Sequence, residues 1–166
     1  MKWFRRLARP LAQVCPSILS RRKRVAWGLT AALGVVALSA NGQTILYVKK
    51  GAAGAGDGSS WANAYPELST ALTAAASLPG NKEVWVAQGE YKPTSGLDRT
   101  ASFIVTAGMN LYGGFAGNET TKEVRNWRVN RTVLSGDIGK QFDFTDNSAH
   151  VVTLVGTTGF EGLDGF

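Results

Sequence analysis

Along most of the chain, apolar positions come in short clusters that end on glycine. Six clusters predict strands: 44–49 (TILYVK), 83–87 (EVWVA), 102–106 (SFIVT), 109–112 (MNLY), 132–134 (TVL) and 150–155 (HVVTLV). None is joined to the next by the Asn-Gly or Asp-Gly two-residue turn that announces a hairpin, so a coiled parallel sheet fits better than a meander. One segment has the other period. Leu68, Ala71, Leu72, Ala75 and Leu78 recur at the spacing of a helical face, with Pro66 suited to a first turn and Pro79-Gly80 as a stop, which predicts a helix over about 66–78. The stretch 51–60 (GAAGAGDGSS) is too rich in glycine for regular structure.

The pattern also repeats. Segments 102–115 (SFIVTAGMNLYGGF) and 150–166 (HVVTLVGTTGFEGLDGF) share an order of apolar strand, glycine corner, second short segment and a small-Gly-Phe ending, offset by 48 at the start and 51 at the end. That spacing equals about two solenoid coils of roughly 20–25 residues each. In such a stack each coil buries its apolar side chains against its neighbours, and an unfinished stack leaves an edge open.

Charge changes the picture by its position. The 166 residues carry 18 Lys+Arg and 12 Asp+Glu, a formal charge of +6 that would ordinarily suggest nucleic acid or an anionic membrane. Eight of the basic residues lie in the first 24 positions, where there is no acid, so the remainder holds ten basic and twelve acidic groups. The excess belongs to the leader and no nucleic-acid partner is expected. An apolar run of sixteen residues follows at 25–40, then Asn41-Gly42-Gln43. Basic stretch, short apolar run and small exit residues predict a secretory signal peptide over 1–42, with Gln43 as the first mature residue. Sixteen residues fall short of the roughly 20 that span a bilayer, so no stable membrane span is expected after cleavage. Cys15, the only cysteine, lies in this leader, which leaves no intrachain disulfide.

Several motifs stand in a suggestive order: Tyr47-Val48-Lys49, 57–64 (DGSSWANA), the helix with Leu68 and Ala71-Leu72, 83–93 (EVWVAQGEYKP), 111–119 (LYGGFAGNE), Arg125, Trp127, 132–137 (TVLSGD) and 163–166 (LDGF). Taken together they resemble the opening of secreted bacterial right-handed parallel β-helix proteins, which belong to the pectate-lyase-like superfamily and include the polymorphic outer-membrane-protein group of adhesins. The resemblance implies an all-β fold, a right-handed parallel β-helix, with 43–80 as N-terminal strand, glycine-rich loop and capping α-helix. It implies 81–166 as the first coils, truncated at the C-terminus.

Candidate chemistry is sparse. Asp137, Asp143 and Asp146 lie in a polar loop, 136–147 (GDIGKQFDFTDN), whose oxygens suit calcium. The spacing is not that of an EF-hand and Lys140 opposes them, so solvated turn carboxylates are the plainer role. His150 begins an apolar strand with no visible nucleophile or acid partner, and Arg99, Arg125, Arg128 and Arg131 lack an adjoining acidic motif. Trp61, Trp85, Tyr91, Tyr112 and Trp127 are aromatic faces suited to stacking on sugars. Trp85 alternates with Val84 and Val86 and Trp61 precedes the helix, so packing is the simpler role for those two. Trp127, among Arg125, Asn126 and Arg128, is the ligand-binding candidate. The sequons at Asn118 and Asn130 are ascribed to chance in a bacterial export context.

The expectation is a secreted or cell-surface scaffold, adhesin-like or glycan-binding, with an extracellular glycan or a cell-surface molecule as partner and no cofactor, Asp137, Asp143 and Asp146 being the candidates should calcium bind. No catalytic residue is assigned. The alternative is the N-terminal part of a polysaccharide lyase or hydrolase whose active site lies beyond Phe166. A third expectation is a short product without independent function, marginally stable or self-associating through its open C-terminal edge.

Overall fold

The computed structural model describes residues 43–156 and 162–166. The signal-peptide reading of 1–42, with Cys15, lies outside the described residues. Every described residue belongs to one compact unit, Ser39–Phe166. In chain order its elements are β1 (Thr44–Val48), α1 (Leu68–Ala76), β2 (Lys82–Ala87), β3 (Gly89–Tyr91), β4 (Phe103–Thr106), β5 (Met109–Phe115), a 3-10 turn (Lys122–Val124), β6 (Thr132–Leu134), β7 (Val152–Val155) and β8 (Gly162–Asp164). Every pairing between these strands is parallel. They form one sheet in the order β1-β2-β5-β8 and two ladders, β3-β6 and β4-β7.

The expected all-β, right-handed parallel β-helix is corrected here. Among the described residues there is no closed solenoid; the short parallel strands stand in three small sheets, and with α1 supplying part of the core the arrangement is α/β-like. The physical reason lies in the connections. Segments 92–102, 116–131 and 135–151 leave the ladders as long loops, so the two-strand sheets are not joined edge to edge with the larger one. The helix, for its part, is a core element, because Leu68, Ala71, Leu72 and Ala75 are all buried.

Strand β2 is buried along its whole length, and its residues alternate between two packed faces. Val84 and Val86, with Leu46 and Val48 of β1, Leu111 of β5 and Phe103 and Val105 of β4, meet the apolar stripe of α1. On the opposite face Trp85 stacks on Phe115 with ring centroids 4.8 Å apart, and Tyr47 and Trp61 complete the cluster by edge contacts. Glu83 is also buried, and its carboxylate is satisfied by the Trp85 indole N–H at 2.7 Å and the Lys122 ammonium at 2.7 Å. The hydrogen bond to Glu83 raises the Lys122 pKa, and the ammonium also lies 4.3 Å from the centre of the Tyr112 ring.

Differences from the sequence reading have local causes. The helix begins at Leu68 instead of Pro66 because the chain before it is still part of the sheet edge: Tyr65 donates to the Tyr47 carbonyl and accepts from the Lys49 N–H, and Glu67 remains extended. Strand β5 runs on to Phe115 through Gly113-Gly114, where the sequence reading stops at Tyr112. The repeat acquires a direct meaning, since its two copies lie on one another: Phe103 is in register with Val152 and Leu111 with Leu163.

Two expected outcomes follow from this packing. Tyr91 is buried, donates to the Ala87 carbonyl at 3.0 Å, and burial pushes its phenol up to about 12. The folded chain therefore holds this proton after the unfolded chain, with its ordinary value near 10, has released it. Stability from this group is intact below pH 10 and is lost between pH 10 and 12, by about 2 kcal/mol; the difference in melting temperature between wild type and Tyr91→Phe should be constant below pH 10, set by the lost hydroxyl bonds, and change only in that window. Secondly, β6, β7 and β8 each end their sheet, and Val133, Leu154 and Leu163 on them are exposed. Sedimentation velocity should show concentration-dependent self-association that Leu163→Lys weakens, and a monomeric chain at high concentration would overturn this.

Candidate functional site

A cleft of about 830 Å³ opens where β6, β7 and β8 end the stack, lined among others by Trp127, Arg128, Arg131, Val133, Leu163 and Phe166. Its position follows from two glycine corners. Gly113 and Gly165, the equivalent corners of the two repeat copies, are in backbone contact: a Cβ on Gly113 would lie 2.5 Å from the Gly165 oxygen. Gly114, at φ +88, lets the Trp127 backbone approach so closely that an added Cβ would come within 2.6 Å of the Trp127 Cα. The Gly114 carbonyl accepts the Asn126 N–H at 3.0 Å, and its N–H donates to the Thr132 hydroxyl at 2.9 Å.

Arg125 locks the same corner. Its guanidinium donates to the Gly113 carbonyl at 3.0 Å and the Asp164 carbonyl at 3.2 Å, and it pairs with the Asp164 carboxylate. This assigns Arg125 a structural post and fixes Trp127 two residues on. The loop after β5 is held in its own way. Burial alone would raise the Glu119 carboxyl, but the N–H groups of Ala116, Gly117 and Asn118 donate to it and bring it below its ordinary value. The Glu119 carbonyl in turn accepts the Trp61 indole N–H at 2.8 Å, which ties this loop to the glycine-rich segment.

Trp127 is half exposed, with the Arg128 guanidinium 4.9 Å from the centre of its ring. Arg128 and Arg131 are exposed, and neither takes part in an ion pair among the described residues. Val133, Leu163 and Phe166 supply an exposed apolar floor. Among the described residues the lining includes no carboxylate side chain, imidazole, thiol or amine; those present offer stacking, guanidinium hydrogen bonds and apolar contact.

The other aromatic candidates are elsewhere. Trp85 and Tyr91 are buried in the packing, Trp61 belongs to the aromatic cluster, and Tyr112 lies beneath Lys122 and Arg125. His150 is exposed and is not part of the cleft. Arg99 donates from Nε to the Asn147 carbonyl at 2.8 Å. Asp137, Asp143 and Asp146 share one loop but form no three-carboxylate metal cluster, and no group of three or more His, Cys, Asp or Glu that would hold a metal is found among the described residues. Asp143 accepts the Thr145 N–H at 3.1 Å and hydroxyl at 2.6 Å, and these two bonds lower its pKa. Sequence reasoning singled out Trp127 from its polar neighbours and weighed Arg128 and Arg131 only as catalytic bases; it missed the floor, of which Leu163 and Phe166 are remote in the chain and are placed through the pairing of β8 with β5.

The chain matches no protein-family model, no curated protein and no solved structure. Nothing in these comparisons identifies a pectate-lyase-like protein, and the family resemblance rests on its motifs alone.

Gly114→Ala tests how the cleft is positioned. A side chain there meets both a left-handed φ and the Trp127 backbone, and the expected loss is at least about 2 kcal/mol in denaturant unfolding. A loss below that of an ordinary surface substitution would show that Trp127 is held by other contacts.

Proposed function

We propose that this chain is an exported, non-catalytic binding protein that presents the Trp127 cleft to an extracellular glycan or a glycan-bearing cell surface. The observation that carries the reading is the exposed Trp127 ring flanked by Arg128 and Arg131, two cations in no ion pair among the described residues, above an apolar floor. An aromatic face packs against the C–H face of a pyranose, guanidinium forks bind hydroxyl or carboxylate oxygens in pairs, and neither contact requires a reacting group. The basic leader followed by a short apolar run supports export, and the ordered motifs that resemble surface adhesins support a role outside the cell. Among the described residues no helix is long and apolar enough to cross a membrane.

Affinity electrophoresis of the purified chain against neutral and uronic-acid-containing polysaccharides tests the proposal. Retardation is expected, stronger in the acidic gels, with Trp127→Ala weakening it about tenfold while leaving the melting temperature near that of wild type. Equal retardation of wild type and Trp127→Ala would remove the cleft from the account. Shortening of the polysaccharide by the chain would instead favour the reading as part of a lyase or hydrolase.

A further inference from the structure

The loop 135–151 between β6 and β7 is knit to itself by hydrogen bonds, three of which span four residues or more. The Ser148 N–H donates to the Gly136 carbonyl at 2.9 Å, the Lys140 N–H to Asp146 Oδ2 at 2.8 Å and the Phe142 N–H to Asp137 Oδ2 at 3.3 Å. Ile138 is buried and anchors the turn, and Gly139 at φ +68 passes so close that an added Cβ would be 2.7 Å from Asp146 Oδ2. From outside, Arg99 donates to the Asn147 carbonyl and accepts the Ala149 N–H. Each of the two aspartates thus gives one oxygen to the loop backbone.

Their other oxygens are unaccounted for. Asp137 Oδ1, Asp146 Oδ1, Asn147 Oδ1 and Ser148 Oγ each expose less than 1 Å² and have no hydrogen-bond partner; among the described residues only one further side-chain atom, Asn110 Oδ1, shares this condition. Such atoms are rare in folded proteins, and four within twelve positions of one loop point to a common cause. All four are oxygens able to accept, two belong to carboxylates, and their removal from water without a partner costs more for the charged pair than for the neutral one. The Lys140 ammonium does not answer them: its side chain is exposed, and it is its backbone N–H that contacts Asp146.

We propose that Asp137, Asp146, Asn147 and Ser148 hold a calcium ion. Calcium is a hard cation that takes six to eight oxygen ligands from carboxylates, amide carbonyls, hydroxyls and water, and tolerates irregular geometry. The four side chains supply an all-oxygen set with two negative charges, and water completes the shell. Nitrogen and sulfur donors, which zinc and copper favour, are missing from the set, while magnesium demands a near-ideal octahedron and gives up its waters reluctantly. Asp143, the third carboxylate of the segment, is outside the set: its Oδ1 accepts both bonds from Thr145, and neither of its oxygens is buried without a partner. The site adjoins β7: an added Cβ at Gly136 would lie 3.1 Å from the Val151 side chain, so a bound ion stiffens the connection that leads into the edge strand.

Calorimetric titration of the chelator-treated, full-length chain with calcium chloride, paired with thermal melts, tests this. A single-site heat is expected, with a rise of several degrees in melting temperature that chelator reverses. Asp146→Asn should weaken binding about tenfold or more, and Ser148→Ala should weaken it while leaving the calcium-free fold intact, since it deletes an unpartnered oxygen. Asp143→Asn should bind as wild type does. Absence of both heat and thermal shift in the wild type would overturn the proposal, and so would an equal loss in Asp143→Asn and Asp146→Asn, which would mean diffuse attraction to an acidic surface.

Discussion

The rest of this structure depends on a parallel strand that has no solvent face. β2 is buried from Lys82 to Ala87, so both of its sides have to be covered, and the two sides are covered by different means. Aliphatic residues on one side take the stripe of α1; on the other, Trp85 recruits Phe115, Tyr47 and Trp61. A charged residue in such a strand is tolerated only when its oxygens are filled, and Glu83 has both filled, by Trp85 and Lys122. The 3-10 turn at Lys122–Val124 is thereby fastened to the sheet, although its own residues bury nothing.

From that sheet, glycine pairs transmit position outward. In-register parallel stacking brings Gly113 against Gly165, and neither can carry a side chain without striking the other's backbone. The close approach lets Arg125 bridge the two repeat copies, and it sets the Trp127 backbone on Gly114. The cleft is thus built at the place where the repeat fits least like a smooth surface. Its aromatic ring is exposed because the backbone beneath it is pinned.

The loops show how polar groups are settled when strands are too short to settle them. Glu119 curls back to fill three N–H groups of its own loop, Asp143 fills the hydroxyl and N–H of Thr145, and Asp137 and Asp146 each fill one backbone N–H. Where such pairing is complete, as at Glu119, the loop is a joint. In 135–151 it is half complete, and the unfilled half is all oxygen.

How much of this was legible from the sequence depended on whether the signal was local. The short apolar clusters give β2, β4 and β6 to within one residue, and the 3.6-residue spacing gives the buried stripe of α1, because both periods are properties of neighbouring positions. Glycine exits and the missing hairpin turns argue for parallel pairing, which every strand pair adopts. β3 (GEY) and β8 (GLD), as short as β6 but without its apolar cluster, leave no local signal and are strands only through their partners. The sequence repeat and family resemblance led to a closed β-helix, whereas long loops and a core helix divide the sheets, because closure is a property of distant edges that no local pattern records. The same holds for chemistry. Residue types named the aspartate loop and Trp127, but tertiary packing alone separated Asp143 from Asp137 and Asp146 and brought Leu163 and Phe166 beside Trp127, since burial and hydrogen-bond partners are set by how the chain packs and not by residue type.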